Sequence, residues 1–263
     1  MYKLGIIGVG KMGNAILEGI IRAKIYSQAE ILLCFNNKDT QMKYEAMGYN
    51  TTLENKYIFK DCEMILLAIK PQNFIDAVIG SKDYDFNKRC IISIMAGLKM
   101  EKIAKEFKNA NIFRLMPNTP ALIKEGVTTV CYNKENNYTD KVLEIFNSIG
   151  KAYIITEDQM DQTLPLNGSM PAYLFLFAKA FIEIAVKNGV SYDTAKELCL
   201  ESIISSAKLV LNSNDSIDTL INNVCSKGGT TVKGLNELYN NNFIKAVEEC
   251  YIACMKRSIE LSE

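Results

Sequence analysis

The 263-residue sequence predicts an α/β protein in two parts. A doubly wound sheet occupies residues 1–156, and an all-helical domain occupies residues 157–263. Three observations predict this. Strand and helix signals alternate as far as Thr156, strand signals vanish after Glu157, and Gly8-Val9-Gly10-Lys11-Met12-Gly13 separates the first strand from the first helix.

Leu4-Gly5-Ile6-Ile7 is a short apolar run of strand length, and Met12–Arg22 places Ala15, Ile16, Gly19 and Ile20 on one helical face. Glu30–Phe35 reads as the second strand. Met64–Ile69 is the third; it is apolar throughout, as a parallel strand covered on both faces should be, and Pro71 ends it. Cys90–Ile94 and Asn111–Leu115 are two more. Helical stretches around Gln41–Met47, Phe74–Ile79, Met100–Phe107 and Thr139–Ser148 separate the strands. Beyond Glu157, the segments Ala172–Lys187, Tyr192–Leu211, Ser216–Asn222, Val232–Tyr239 and Phe243–Leu261 read as helices, punctuated by Gly189 and the Gly228-Gly229 pair. Two of these helices are apolar over much of their circumference, which implies burial. A unit of this size covers such surface poorly by itself, so a homodimer or a larger ring of dimers is expected.

Composition excludes several classes of function. Lys+Arg and Asp+Glu balance at 30 each with no long basic run, which argues against nucleic acid as a partner. The longest apolar stretch, Ala172–Val186, is interrupted by Lys179 and Glu183 and is short for a membrane span. The chain enters an apolar strand directly after Met1-Tyr2-Lys3, without the pattern of a signal peptide. The 8 cysteines are scattered and form no CxxC pair, and there is no His, so no metal site is expected and the thiols read as core residues of a cytoplasmic protein. Without His, Ser-His-Asp and Cys-His chemistry are also excluded.

Gly8-Val9-Gly10-Lys11-Met12-Gly13 fits G-x-G-x-x-G in the strand–turn–helix setting that gives the pattern meaning. The first Gly permits the turn, the second admits a pyrophosphate to the backbone, and the third lets helix and strand pack closely. The second strand ends Cys34-Phe35-Asn36-Asn37-Lys38, with no acid to hold two ribose hydroxyls. Its amides and cation suit a 2′-phosphate, so NADPH is expected, with NADH as the alternative. Ala68-Ile69-Lys70-Pro71 and Met95-Ala96-Gly97 lie at carboxyl ends of strands, the edge where open α/β sheets bind ligands.

Two segments point to a substrate. Arg114-Leu115-Met116-Pro117-Asn118-Thr119-Pro120 frames Asn118 in a stiff turn able to hold a side chain toward a ligand. Ser226-Lys227-Gly228-Gly229-Thr230-Thr231 exposes backbone N–H groups ahead of a helix, a site suited to a carboxylate, with Thr230 or Thr231 either capping the helix or facing the ligand.

Together with Gly168-Ser169-x-Pro171-Ala172-Tyr173 and Cys225–Leu235, these segments resemble the pyrroline-5-carboxylate reductases over Lys3 to about Leu261. The resemblance implies a Rossmann domain followed by an interlocking helical dimer domain, often within a decamer. It implies reduction of a small cyclic imine carboxylate, 1-pyrroline-5-carboxylate, to L-proline by NAD(P)H, the last step of proline synthesis. It further implies that Gly228, Gly229, Thr230 and Thr231 hold the substrate carboxylate, with Thr231 approaching the ring nitrogen, that Ser169 belongs to the substrate site, and that Asn55 contacts the cofactor. Two positions depart from the family pattern: Met170 stands for a usual Gly, and Lys227 for a usual Pro. Two other readings of the residues compete. β-Hydroxyacid dehydrogenases share Gly-x-Gly-x-Met-Gly and a helical second domain but rely on a Lys such as Lys179 or Lys187, whose characteristic Gly-rich lead is absent here. A non-catalytic, regulatory dinucleotide-binding paralogue is the other.

Overall fold

In the computed structural model, which describes residues 1–262, β1 (Tyr2–Ile7) pairs in parallel with β2 (Ile31–Cys34) on one side and β4 (Cys62–Leu67) on the other. The sheet extends through β3 (Asn50–Thr52) beyond β2, and through β5 (Cys90–Ser93), β6 (Asn111–Met116), β7 (Gly126–Tyr132) and β8 (Gly150–Ile154) beyond β4. Its order is β3-β2-β1-β4-β5-β6-β7-β8. The first six strands are parallel; β7 runs antiparallel to β6, and β8 parallel to β7. This is the doubly wound arrangement expected, with a reversed pair added at one edge.

Alternation explains how both faces are buried. Ile7, Ile65, Leu67 and Ile91 join one core with α3 (Asn55–Asp61), α4 (Phe74–Ala77) and α5 (Met100–Glu106). Leu4, Ile6, Met64, Leu66 and Ile92 join the opposite core with α1 (Lys11–Arg22) and α6 (Thr139–Asn147). Successive strand residues point to opposite faces, so a continuously apolar strand is what a sheet sandwiched by helices requires. Phe59, Phe86 and Phe107 fill the first core with edge-to-face rings, a preferred aromatic arrangement.

Five elements depart from the expected list: β3, β7, β8, α3 and α7 (Glu157–Thr163). β3 is only Asn-Thr-Thr, too short and polar to alternate. α2 (Lys38–Ala46) begins earlier than expected because the Asn37 side chain accepts the Thr40 N–H and caps it.

The chain divides into two compact units: Met1–Pro171 together with the chain from Cys254 onward, and Ala172–Ala253. This differs from the expected division after residue 156. The reason lies in α7: Met160 is buried in the sheet's core, and Arg114 on β6, itself buried, pairs with Glu157 and Asp161 at 3.3 and 3.6 Å. Asp161 also accepts the Ser258 hydroxyl at 2.6 Å, which ties in the end of the last helix. The second unit contains most of α8 (Met170–Lys187), α9 (Tyr192–Asn212), α10 (Ile217–Val224), α11 (Thr230–Asn240) and the first half of α12 (Phe243–Ser262). Its buried core is small, centred on Ala178, Ile182 and Ala195, while Phe175, Leu176 and Leu211 are mostly exposed.

Candidate active site

The carboxyl ends of β1, β2 and β4 open into a cleft of about 510 Å³ lined by Gly8, Gly10, Asn36, Asn55 and Ile69 among others. It lies at the point where the strand order reverses between β1 and β4, the crevice in which open α/β sheets bind ligands. The glycines have distinct reasons. Gly8 adopts φ +94°, and a Cβ there would lie 2.7 Å from the Ala68 carbonyl oxygen. A Cβ on Gly13 would lie 2.3 Å from the Gly8 carbonyl oxygen, so only Gly lets α1 seat on the turn. At Gly10 a Cβ would meet nothing within 4 Å, so the space beside it is open and protein packing does not require this glycine. Gly10 is also the N-cap of α1, with no side chain capping it, which leaves amide hydrogens at the positive end of the helix available to a pyrophosphate. These residues fit a dinucleotide.

The remaining cofactor candidates divide. Asn36 is exposed and lines the cleft; Asn37 spends its carbonyl oxygen capping α2; Lys38 is the exposed first residue of that helix. Asn55 accepts a hydrogen bond from the Cys34 thiol at 2.9 Å and donates one to the Ala77 carbonyl at 2.9 Å. Lys11, Met12 and Gly13 form the first turn of α1, Ala68 and Lys70 follow β4, and Pro71 opens the short helical turn after them; none of the six is in the cleft lining itself. Ala96 is exposed, whereas Gly97 is buried with φ +72°, and a Cβ there would lie 3.0 Å from the Leu261 carbonyl oxygen. Gly97 is therefore required by packing of the last helix as well as by its turn. The cleft also contains Val9, Thr40, Leu53, Asn73 and Asp76, which sequence reasoning did not single out. Asn73 and Asp76 lie two and five residues after Pro71, and that proximity to a strand's carboxyl end was the available signal.

On the proposed substrate side, Asn118 is buried and its side chain turns inward. It accepts from the Val127 N–H at 2.8 Å and donates to the Asn167 carbonyl at 3.1 Å. Asn167 in turn donates to the Met116 carbonyl at 2.8 Å. The Asn118 turn and the segment leading to Ser169 are thus stitched together. Ser169 Oγ lies 3.2 Å from Cys254 Sγ, and Met170 begins α8.

In the second unit, α11 begins at Thr230, two residues earlier than expected, and its N-cap is Gly229. No side chain caps this helix, so capping does not account for Thr230 or Thr231. Gly228 adopts φ +73°, and the Gly229 N–H turns back to the Ser226 carbonyl at 2.9 Å. Gly228, Gly229, Thr230 and Thr231 are largely open to solvent at the positive end of an eleven-residue helix, an arrangement that favours an anion.

Residues 157–261 match the pyrroline-5-carboxylate reductase dimerisation family, and residues 3–97 match the family described as NADP oxidoreductase, coenzyme F420-dependent. A curated pyrroline-5-carboxylate reductase from Synechocystis is 33% identical over 99% of this chain and 98% of its own. The Escherichia coli reductase of that name is 32% identical with the same coverage. The chain belongs to the pyrroline-5-carboxylate reductase family. The Plasmodium falciparum pyrroline carboxylate reductase, solved with NADP bound, superposes over 100% of this chain and 98% of its own with a TM-score of 0.88 at 33% identity.

This reductase is thus an oxidoreductase of Rossmann fold with a helical dimerisation segment, and it forms a homo-oligomer. Among the described residues, no helix is long and apolar enough to cross a membrane, and no cluster of three or more His, Cys, Asp or Glu side chains could hold a metal. The dehydrogenase-type lysine reading finds no support in Lys179, which is exposed and paired with Glu183 one helical turn away.

Proposed function

We propose that this chain reduces 1-pyrroline-5-carboxylate to L-proline with NADPH as donor, NADH serving as the alternative. The observation that carries the substrate assignment is the uncapped start of α11, where the Gly228-Gly229 turn leaves the amide hydrogens of Thr230 and Thr231 open to a carboxylate. The cofactor assignment is supported by the cleft at Gly8 and Gly10, by the amide-rich tip at Asn36, and by NADP in the Plasmodium falciparum relative.

Bound NADPH supplies the hydride. The chain's own contribution is to bind and orient. Amides of Gly10, Lys11, Met12 and Gly13 would hold the pyrophosphate, with Gly8, whose N–H goes to the Cys34 carbonyl, making the turn that brings them to it; Asn36, Asn37 and Lys38 would receive the 2′-phosphate, and Asn55 would hold the nucleotide from the cleft wall. The turns Ala68-Ile69-Lys70-Pro71 and Ala96-Gly97 border the nicotinamide end. Gly228, Gly229 and Thr230 hold the substrate carboxylate, and the Thr231 hydroxyl accepts a hydrogen bond from the protonated ring nitrogen. The substrate binds as the iminium ion, so the carbon takes hydride, the nitrogen becomes an amine, and no protein acid is consumed. Ser169 is the substrate-site residue that the family resemblance implies, and Asn118 acts through the Asn167–Ser169 segment that it anchors.

The homo-oligomer is a homodimer, associated further into a decamer; exposed Phe175, Leu176 and Leu211 supply the apolar surface for association. A cytoplasmic setting fits the eight free cysteines. The test is loss of NADPH absorbance when pyrroline-5-carboxylate is added to purified protein. NADPH binding without consumption would instead establish the non-catalytic reading.

A further inference from the structure

Cys34 sits at the last residue of β2, is 4% exposed, and lines the nucleotide cleft. Its thiol donates to Asn55 Oδ1 at 2.9 Å, and Asn55 donates through Nδ2 to the Ala77 carbonyl at 2.9 Å. Three walls of the cleft meet through one amide: the end of β2, the start of α3 and the end of α4. A carbonyl can only accept, so the Ala77 contact demands an amide hydrogen from Asn55 and leaves its oxygen facing the thiol. The thiol is then required as a donor. Burial, reinforced by the charge of Glu54, pushes the Cys34 thiol up to about 12, so it keeps its proton at neutral pH. With both contacts made, Asn55 has one amide hydrogen and one oxygen lone pair left for a ligand in the cleft.

We propose that Cys34 is a positioning residue for the cofactor: its thiol proton locks the Asn55 amide in the one orientation that presents its free N–H to the bound dinucleotide. The inference rests on the NADPH reading above. It predicts that the property required at position 34 is a donor rather than bulk or hydrophobicity. Cys34→Ala and Cys34→Val remove the donor; the first also removes volume, while the second keeps an apolar side chain. Cys34→Ser keeps the donor but is more polar, which a purely packed position would tolerate least.

The experiment measures NADPH affinity by fluorescence titration of the full-length enzyme, the steady-state constants for both substrates, and a thermal melt of each variant. Cys34→Ala and Cys34→Val weaken NADPH about five-fold, the scale of one weak neutral hydrogen bond. The effect appears in KM for NADPH, with kcat at saturating NADPH and KM for the pyrroline within about two-fold of the starting enzyme. Cys34→Ser restores NADPH affinity to within about two-fold even if its melting temperature is the lower. Should the Ala variant fail to fold, the Val–Ser comparison decides the same question. NADPH affinity in the Ser variant as weak as in the Val variant, or unchanged affinity in all three, overturns the proposal. An unsubstituted enzyme that does not bind NADPH overturns the cofactor reading itself, and this inference with it.

Discussion

Two glycines of the nucleotide motif, exposed Gly10 and buried Gly13, make different predictions for the same substitution. At Gly10 an added Cβ meets no atom within 4 Å, and the backbone, at φ −77° and ψ −166°, suits any L-residue. Gly10→Ala therefore perturbs the fold only through the cap: Ala is the poorer N-cap by about 0.5–1 kcal/mol, about 1–4 °C in melting temperature. Its methyl group occupies the space where a pyrophosphate approaches the amides, so NADPH affinity falls about ten-fold or more. At Gly13 the Cβ would lie 2.3 Å from the Gly8 carbonyl oxygen and 3.3 Å from Ala68 Cβ. Relief requires moving α1 from the turn by roughly 1 Å to reach ordinary van der Waals separation. Overpacking of this kind costs about 1–3 kcal/mol, so Gly13→Ala lowers the melting temperature by about 4–8 °C for a mid-range 2 kcal/mol. It weakens NADPH as well, because the Gly8–Gly10 amides move with the turn. Melting curves with and without NADPH, alongside fluorescence titration, separate the two effects. A Gly10→Ala enzyme that binds NADPH like its parent would refute the placement of the pyrophosphate. A Gly13→Ala enzyme with the parent's melting temperature would refute the packing argument.

Three further outcomes are expected. Thr231→Ala lowers kcat about 10- to 100-fold while NADPH affinity stays within two-fold, and Thr231→Ser recovers most of the loss; unchanged turnover in steady-state assays removes Thr231 from the mechanism. Arg114→Met strands Glu157 and Asp161 without their buried partner and costs about 3–5 kcal/mol in urea unfolding at fixed protein concentration. The triple variant Arg114→Met, Glu157→Gln, Asp161→Asn recovers much of it, and a triple variant no more stable than the single one contradicts the charge argument. Alkali destabilises the fold: burial first, then nearby negative charge, pushes the thiols of Cys34, Cys62 and Cys131 and the phenols of Tyr26 and Tyr138 up to about 12, and Cys90 well above its ordinary value. The unfolded chain releases these protons nearer pH 9 to 10, so their contribution is complete below about pH 9 and declines as pH rises toward about 12. A melting temperature under reducing conditions that stays level from pH 9 to 11 contradicts this.

The sequence alone determined whatever depends on local pattern. Leu4–Ile7 and Met64–Ile69 announced buried parallel strands because a strand covered on both faces has no polar side to show. Gly8-x-Gly10-x-x-Gly13 announced a nucleotide turn because the spacing itself encodes where backbone must approach backbone or ligand. Only the tertiary structure decided matters that depend on partners distant in the chain. β3 and β8 exist through pairing, with Leu32 opposite Asn50 and Gly126 opposite Gly150, and carry too little alternation of their own. Asn55 was legible through family resemblance alone, since its bonds reach Cys34, 21 residues before it, and Ala77, 22 residues after. Asn118, read as facing a ligand, turns inward because the Val127 N–H and Asn167 carbonyl are brought to it by the β7 strand and the segment before α8. A short polar side chain bonds to whatever backbone the fold presents, and periodicity along the chain carries no information about that.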